Sequence, residues 1–197
     1  MNRKDFIFSS TLAALSVTLT GAALKSDEST DQCTTTNDIL GPFYRAGAPL
    51  RSDLSSHQAG GTSITVKGVV YGSDCITPIK SALVEIWHAN QKGAYDNDSD
   101  EFRNRASWKT NAKGEYSFKT ILPGKYLNGK LYRPAHIHFR VSAESHTELI
   151  SQLYFSGDPH IKTDPWASDA KAIHRIHPLI PEGTDGSLTI TFNIYLD

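Results

Sequence analysis

From Thr62 onward the chain alternates. Ile64, Val66 and Val70 are spaced by Thr65, Lys67 and Tyr71, and the same period of two returns in residues 83–88, 115–120, 135–141, 149–155 and 187–196. That period sends successive side chains to opposite faces of an extended strand, and the Gly, Pro, Asn and Asp clusters between the runs supply turns. Six short runs of this kind predict an all-β chain folded as an antiparallel β-sandwich with long loops and at most one or two short helices. The one helical candidate is DPWASDAKAIHRIH, 164–177, where Trp166, Ala170 and Ile173 recur at helical spacing.

Residues 62–197 therefore read as a single sandwich domain. Ahead of it, residues 25–61 are polar and turn-rich, a linker and N-terminal arm. Residues 1–24 read as a signal peptide: Arg3 and Lys4 precede a largely apolar stretch from Phe6 to Leu19, followed by Gly21, Ala22 and Ala23. The stretch is too short for a stable membrane anchor. Export to the periplasm or the extracellular space is expected, and in an oxidising compartment the only two cysteines, Cys33 and Cys75, become candidates for a disulfide. Twenty Lys and Arg against twenty-one Asp and Glu give a net charge of -1 without a basic run, which argues against a nucleic-acid partner. A homo-oligomer is compatible with such a domain.

The run AHIHFRV poses the functional question. Ile137, Phe139 and Val141 form its apolar set, so His136, His138 and Arg140 point from the other face. Two imidazoles about 7 Å apart along a strand can meet one metal ion, although an ordinary surface pair has the same spacing. A cupin-like completion by Glu144 lacks that motif's glycines. The acidic loop 96–101 is a poor calcium loop, with Glu101 where a Gly is required and Ser107 where a bidentate Glu belongs. Two tyrosines remain, Tyr95 and Tyr126, each in a loop shortly after a glycine. A phenol beside a highly charged cation ionises to a hard anionic donor suited to Fe(III). Taken singly, without the histidines, either tyrosine reads better as a loop aromatic lying on the sandwich edge.

In order along the chain, GPFYR (41–45), ALVEIWHANQKGAYDN (82–97), LPGKY (122–126), RPAHIHF (133–139) and LISQLYFSGDP (149–159) resemble the intradiol ring-cleavage dioxygenases, particularly the protocatechuate type and its exported relatives. The resemblance spans roughly residues 37–160. It implies a prealbumin-like sandwich holding a non-haem Fe(III) on Tyr95, Tyr126, His136 and His138. It also implies an oxidoreductase that cleaves a catechol-type substrate between its two hydroxylated carbons with O2, giving a cis,cis-muconate-type diacid. Tyr126 would leave the metal when substrate binds and take a proton. Arg133 would face the substrate ring, and Gln152 would orient a bound intermediate or a ligand. The alternatives for these two are a salt bridge from Arg133 to the 96–101 loop and a solvent-facing Gln152. His88 is expected to be a buried, hydrogen-bonded histidine and Trp87 a core residue. The rival from another class is a non-catalytic prealbumin-like extracellular module, whose sandwich pattern residues 66–126 would also satisfy.

Overall fold

The computed structural model describes residues 33–55 and 60–197; the leader expected at 1–24 and the linker up to residue 32 lie outside the described residues. Among the described residues twelve strands follow one another: β1 (Ser63–Gly72), β2 (Leu83–His88), β3 (Arg105–Lys109), β4 (Glu115–Ile121), β5 (Tyr126–Asn128), β6 (Leu131–Arg133), β7 (His136–Ser142), β8 (Leu149–Phe155), β9 (Ile176–His177), β10 (Ile180–Glu182), β11 (Ser187–Thr191) and β12 (Ile194–Leu196). They form one sheet ordered β3-β2-β7-β8-β9 and a second ordered β10-β11-β1-β12, with β4 also paired to β1. The short β5–β6 hairpin stands apart from both.

The two sheets close on one core. Val66, Phe118 and Ile190 from one layer pack with Ile86, Phe139 and Leu153 from the other, all at most 1% exposed. The rings of Phe118 and Phe139 lie 6.4 Å apart across the gap. Burying several such side chains, each worth about 1.5–3 kcal/mol, is what drives the layers together. The alternation seen in the sequence is realised most plainly in β4, where exposed and buried residues alternate from Glu115 to Thr120.

The sandwich is as expected; its pairing is mixed. β1 runs parallel to β11 and β12, from Ile64 opposite Leu188 to Gly72 opposite Leu196. The long C-terminal run is interrupted at Phe192 and Asn193, and the physical reason sits on β1. A Cβ on Gly68 would lie 2.0 Å from the Phe192 carbonyl oxygen, so only glycine admits this close approach. Tyr116 donates its hydroxyl to the same carbonyl, and Asn193 Oδ1 takes the Val69 amide that the broken ladder leaves.

The helix expected within 164–177 is replaced by a short 3-10 turn over Ala170–Arg175, capped by Asp169. Ile173 is 66% exposed, whereas Ala172 and Arg175 are buried. A buried arginine needs a partner, and Arg175 finds one in Asp38. That tertiary pull overrides the weak helical spacing. Cys33 and Cys75 form a disulfide with Cα atoms 5.2 Å apart, which ties the N-terminal arm to the turn after β1.

Candidate functional site

β7 places His136 and His138 on the face turned away from the core, as alternation requires, yet both are at most 2% exposed. Four irregular segments cover them: the arm around residues 38–50, the loop carrying Tyr95, the β5–β6 hairpin carrying Tyr126, and the chain that follows β8. Two of these segments lock together backbone to backbone. A Cβ at Gly93 would come within 2.3 Å of the Lys125 carbonyl, and one at Gly124 equally near the Gln91 carbonyl. The glycines ahead of Tyr95 and Tyr126 thus let the two loops approach closely enough to share one site.

The four rings converge. His136 and His138 have centroids 4.8 Å apart, Tyr126 lies 5.7 Å from His136, Tyr95 lies 5.6 Å from Tyr126 and 6.1 Å from His138. Tyr95 Oη stands 3.2 Å from His136 Nε2. His136 Nδ1 donates to the Pro134 carbonyl at 2.7 Å, and since a carbonyl only accepts, Nε2 is left as the bare nitrogen facing Tyr95. His138 differs: its Nδ1 and Nε2 are both buried without a hydrogen-bond partner. Leaving a buried polar atom unmade costs about 1–3 kcal/mol, so this ring is shaped to bind something.

Electrostatics agree with a neutral, donor-ready pair of imidazoles. Burial, reinforced for His138 by the neighbouring His136 and Arg133, holds His138 well below the usual histidine range and lowers His136 to about 3. Burial raises the Tyr95 phenol well above its ordinary value, helped by the adjacent Tyr126, while Arg133 and Arg105 pull it the other way. Among the described residues no group of three or more His, Cys, Asp or Glu could hold a metal ion. The further donors that stand beside the two imidazoles are the phenols of Tyr95 and Tyr126. Two imidazoles and two phenols, all within reach of one another and one imidazole unsatisfied, fit a hard trivalent cation.

Around the rings sits a rigid collar. Trp87 stacks on His138 at 4.7 Å and 8°, so this core indole also orients a site residue, and Tyr44 packs edge-on against Trp87. Phe43, from the GPFYR arm, stacks on Tyr95 at 4.2 Å. His88 is buried with Nδ1 donating to the Ala89 carbonyl and Nε2 bonded to Thr120 Oγ1, each at 2.8 Å, so it is occupied as a hydrogen-bonded core histidine.

Arg133 closes the β5–β6 hairpin opposite Tyr126 and is 2% exposed. It does not reach the 96–101 loop. Its Nε donates to Asp164 Oδ2 at 2.8 Å, and Nη2 donates to Gln152 Oε1 and Tyr154 Oη, both at 3.1 Å. Gln152 is fully buried rather than solvent-facing, and pairs directly with His138 across β7 and β8. Its Nε2 donates to Asp38 Oδ1 and the Ile39 carbonyl, so the amide is held in one orientation.

Several residues that build this site carried no signal in the sequence. Asp38 accepts from Arg175, Tyr154 and Gln152. Arg105, 1% exposed, donates to the Asp96 and Phe43 carbonyls and so fixes the segments that flank Tyr95 and its stacking partner. It lacks a carboxylate partner among the described salt bridges, and burial lowers its guanidinium to about 10. The acidic loop is held instead by backbone acceptors: Arg45 donates to the Ser99 carbonyl and Arg51 to those of Glu101 and Phe102.

Residues 39–197 match the family model described as Dioxygenase. The chain is 37% identical over 150 residues to catechol 1,2-dioxygenase 2 of Acinetobacter lwoffii, covering 66% of this chain and 54% of that protein. Among solved structures it resembles the dioxygenase domain of a dioxygenase and carbohydrate-binding protein fusion from the cellulolytic bacterium Streptomyces sp. SirexAA-E, with 30% identity, a TM-score of 0.72, and coverage of 83% of this chain and 98% of that one. It also resembles catechol 1,2-dioxygenase of Acinetobacter sp. ADP1 inhibited by bound mercury, with 28% identity, a TM-score of 0.74, and coverage of 82% and 62%. The chain spans about half the length of the curated relatives it matches.

Proposed function

This chain belongs to the intradiol ring-cleavage dioxygenase family, and from that premise we propose that it binds a non-haem Fe(III) through Tyr95, Tyr126, His136 and His138 and uses O2 to cleave a catechol-type ring between its hydroxylated carbons. The product is a cis,cis-muconate-type diacid carrying both oxygen atoms. One observation carries the reading: four donor rings meet under a covered sheet face, and one of them has both nitrogens buried and unpartnered. Ferric iron bound there supplies a Lewis acid and an electron acceptor, which lets a spin-paired aromatic ring react with O2.

The chain's own residues have distinct tasks. Tyr126 sits at the start of a three-residue strand in a hairpin outside both sheets; its Oη would leave the metal as substrate binds and take a proton from a substrate hydroxyl. Tyr95, pinned beneath Phe43, stays in place. His138 is kept flat by Trp87, and His136 is fixed in its tautomer by Pro134. Arg133 presents a buried positive charge beside Tyr126, where negative charge builds on the ring as it opens. The Cys33–Cys75 disulfide supports an oxidising compartment and thus export.

Purified full-length protein supplied with ferric iron should be visibly coloured by tyrosinate absorption. With catechol it should consume one O2 per ring without added reductant, giving a ring-opened diacid by mass spectrometry. A colourless protein that takes up no oxygen over a panel of catechols overturns the proposal. In Tyr95→Phe the colour should fade with the fold intact by circular dichroism.

A further inference from the structure

Arg133 is gripped from three sides. Asp164 meets it side-on, with Oδ2 at 2.8 Å from Nε and Oδ1 at 3.4 Å from Nη2. The Trp166 ring lies over the guanidinium, 4.3 Å from Cζ to the ring centroid. Gln152 Oε1 and Tyr154 Oη accept from Nη2 on the remaining side. Asp164 is itself 1% exposed, and its Oδ1 takes the backbone amides of Trp166 and Ala167 at 3.0 and 2.8 Å.

Burying one charge requires good geometry and acceptors for its remaining N–H groups, which Asp164, Gln152 and Tyr154 supply; the indole stacked on the guanidinium goes beyond that requirement. Here the carboxylate, the indole face and the amide oxygen together fix the guanidinium plane as well as its position, and the DPW turn that supplies two of them is folded around the carboxylate's spare lone pairs. A stabilising charge accelerates a reaction only when it needs no rearrangement at the moment of reaction. Electrostatic help from a long, flexible side chain depends on such immobilisation.

We infer that Asp164, with Trp166, is a positioning residue for Arg133: it holds the guanidinium at the one place where charge develops during ring opening, without touching substrate or metal ligand. The inference rests on the ring-cleavage reading above and assigns a function to a turn that otherwise looks like a linker between β8 and β9. Its mark is a loss confined to turnover. Binding of catechol and retention of iron depend on the four rings, which Asp164 does not contact.

The test compares wild-type, Asp164→Asn, Arg133→Lys and the double variant as iron-loaded full chains. Oxygen uptake gives kcat and KM, and anaerobic catechol titration read through the visible band gives binding independently of turnover. Asp164→Asn should lower kcat by roughly 10- to 100-fold, with KM and anaerobic binding within about threefold. In the Arg133→Lys background the same change should add less than about twofold, because the group it positions has gone. Should Asp164→Asn not accumulate folded, Trp166→Leu removes the stacked face without exposing a charge and should still lower kcat several-fold at constant KM. A wild-type kcat in Asp164→Asn or, where that variant does not fold, in Trp166→Leu overturns the inference. So does a loss that is equal in the two Arg133 backgrounds, or one that falls on iron retention instead. Absence of oxygen uptake in the wild-type protein defeats the ring-cleavage reading itself, a result that none of the others resembles.

Discussion

β4 and β7 have the same length and the same alternation, and they belong to opposite layers of one sandwich. Toward the core they are interchangeable: Phe118 and Phe139 face each other across the gap. On their outer faces they part. Glu115, Ser117 and Lys119 of β4 are exposed to water, whereas His136 and His138 of β7 are buried. The same local pattern thus serves as a solvated wall in one layer and as the floor of a chemical site in the other. The difference lies in what covers the strand, and coverage is a property of distant segments rather than of the strand itself.

The largest expected effect lies on the covered face. His138→Ala should abolish iron binding and lower ring cleavage by at least about a thousandfold, equivalent to about 4 kcal/mol of barrier, while the sandwich still folds on its apolar face. Iron content and oxygen uptake check it, and a coloured, active variant would erase the distinction between the two faces. The solvated layer is vulnerable through its backbone instead. Gly68→Ala drives a methyl into the Phe192 carbonyl, and a loss of about 2–4 kcal/mol in urea denaturation is expected, with the visible spectrum of surviving folded protein unchanged.

The remaining effect is graded and concerns acid. His88 is lowered to about 4 and His136 to about 3 by burial, and both lie on β2 or β7, while the strands of the other sheet contain no histidine. An unfolded histidine titrates near 6.5, so below that pH the unfolded chain binds protons that the folded one refuses. Stability of the iron-free protein should therefore be flat from pH 8 to 7 and fall as pH drops from about 6.5 toward 4. Each buried imidazole contributes up to about 1.4 kcal/mol per pH unit in that window. Urea midpoints at four pH values suffice, and a midpoint that holds steady to pH 4.5 would mean these rings are not buried neutral.

Much of the layered fold was legible because alternation is local. Residues 63–72, 83–88, 115–121, 136–142 and 149–155 form strands where the period of two indicates them. The four rings of the site were legible through motifs, each a few residues long. What escaped shares one physical character: buried charge whose partner is far along the chain. Asp38 meets Gln152 from 114 residues away and Arg175 from 137. Nothing beside Asp38 in NDIL hints at either. Arg175 was hidden in an apparently helical stretch, and its burial is what bends that stretch into a 3-10 turn. Of the two readings the sequence leaves for Gln152, orienting a bound intermediate or a ligand and facing solvent, burial excludes the second, and its amide is held between Arg133 and Asp38.

The parallel alignment of β1 with β11 and β12 sets a timetable for synthesis. β1 acquires β4 once residue 121 has left the ribosome, but its other edge has no partner until residues 187–196 are made. Until then that nascent edge is open to pairing with any strand that passes, and a message cut short before residue 187 leaves it permanently so. Quality control of this protein accordingly turns on residues 187–196, far along the chain from the four rings of the site.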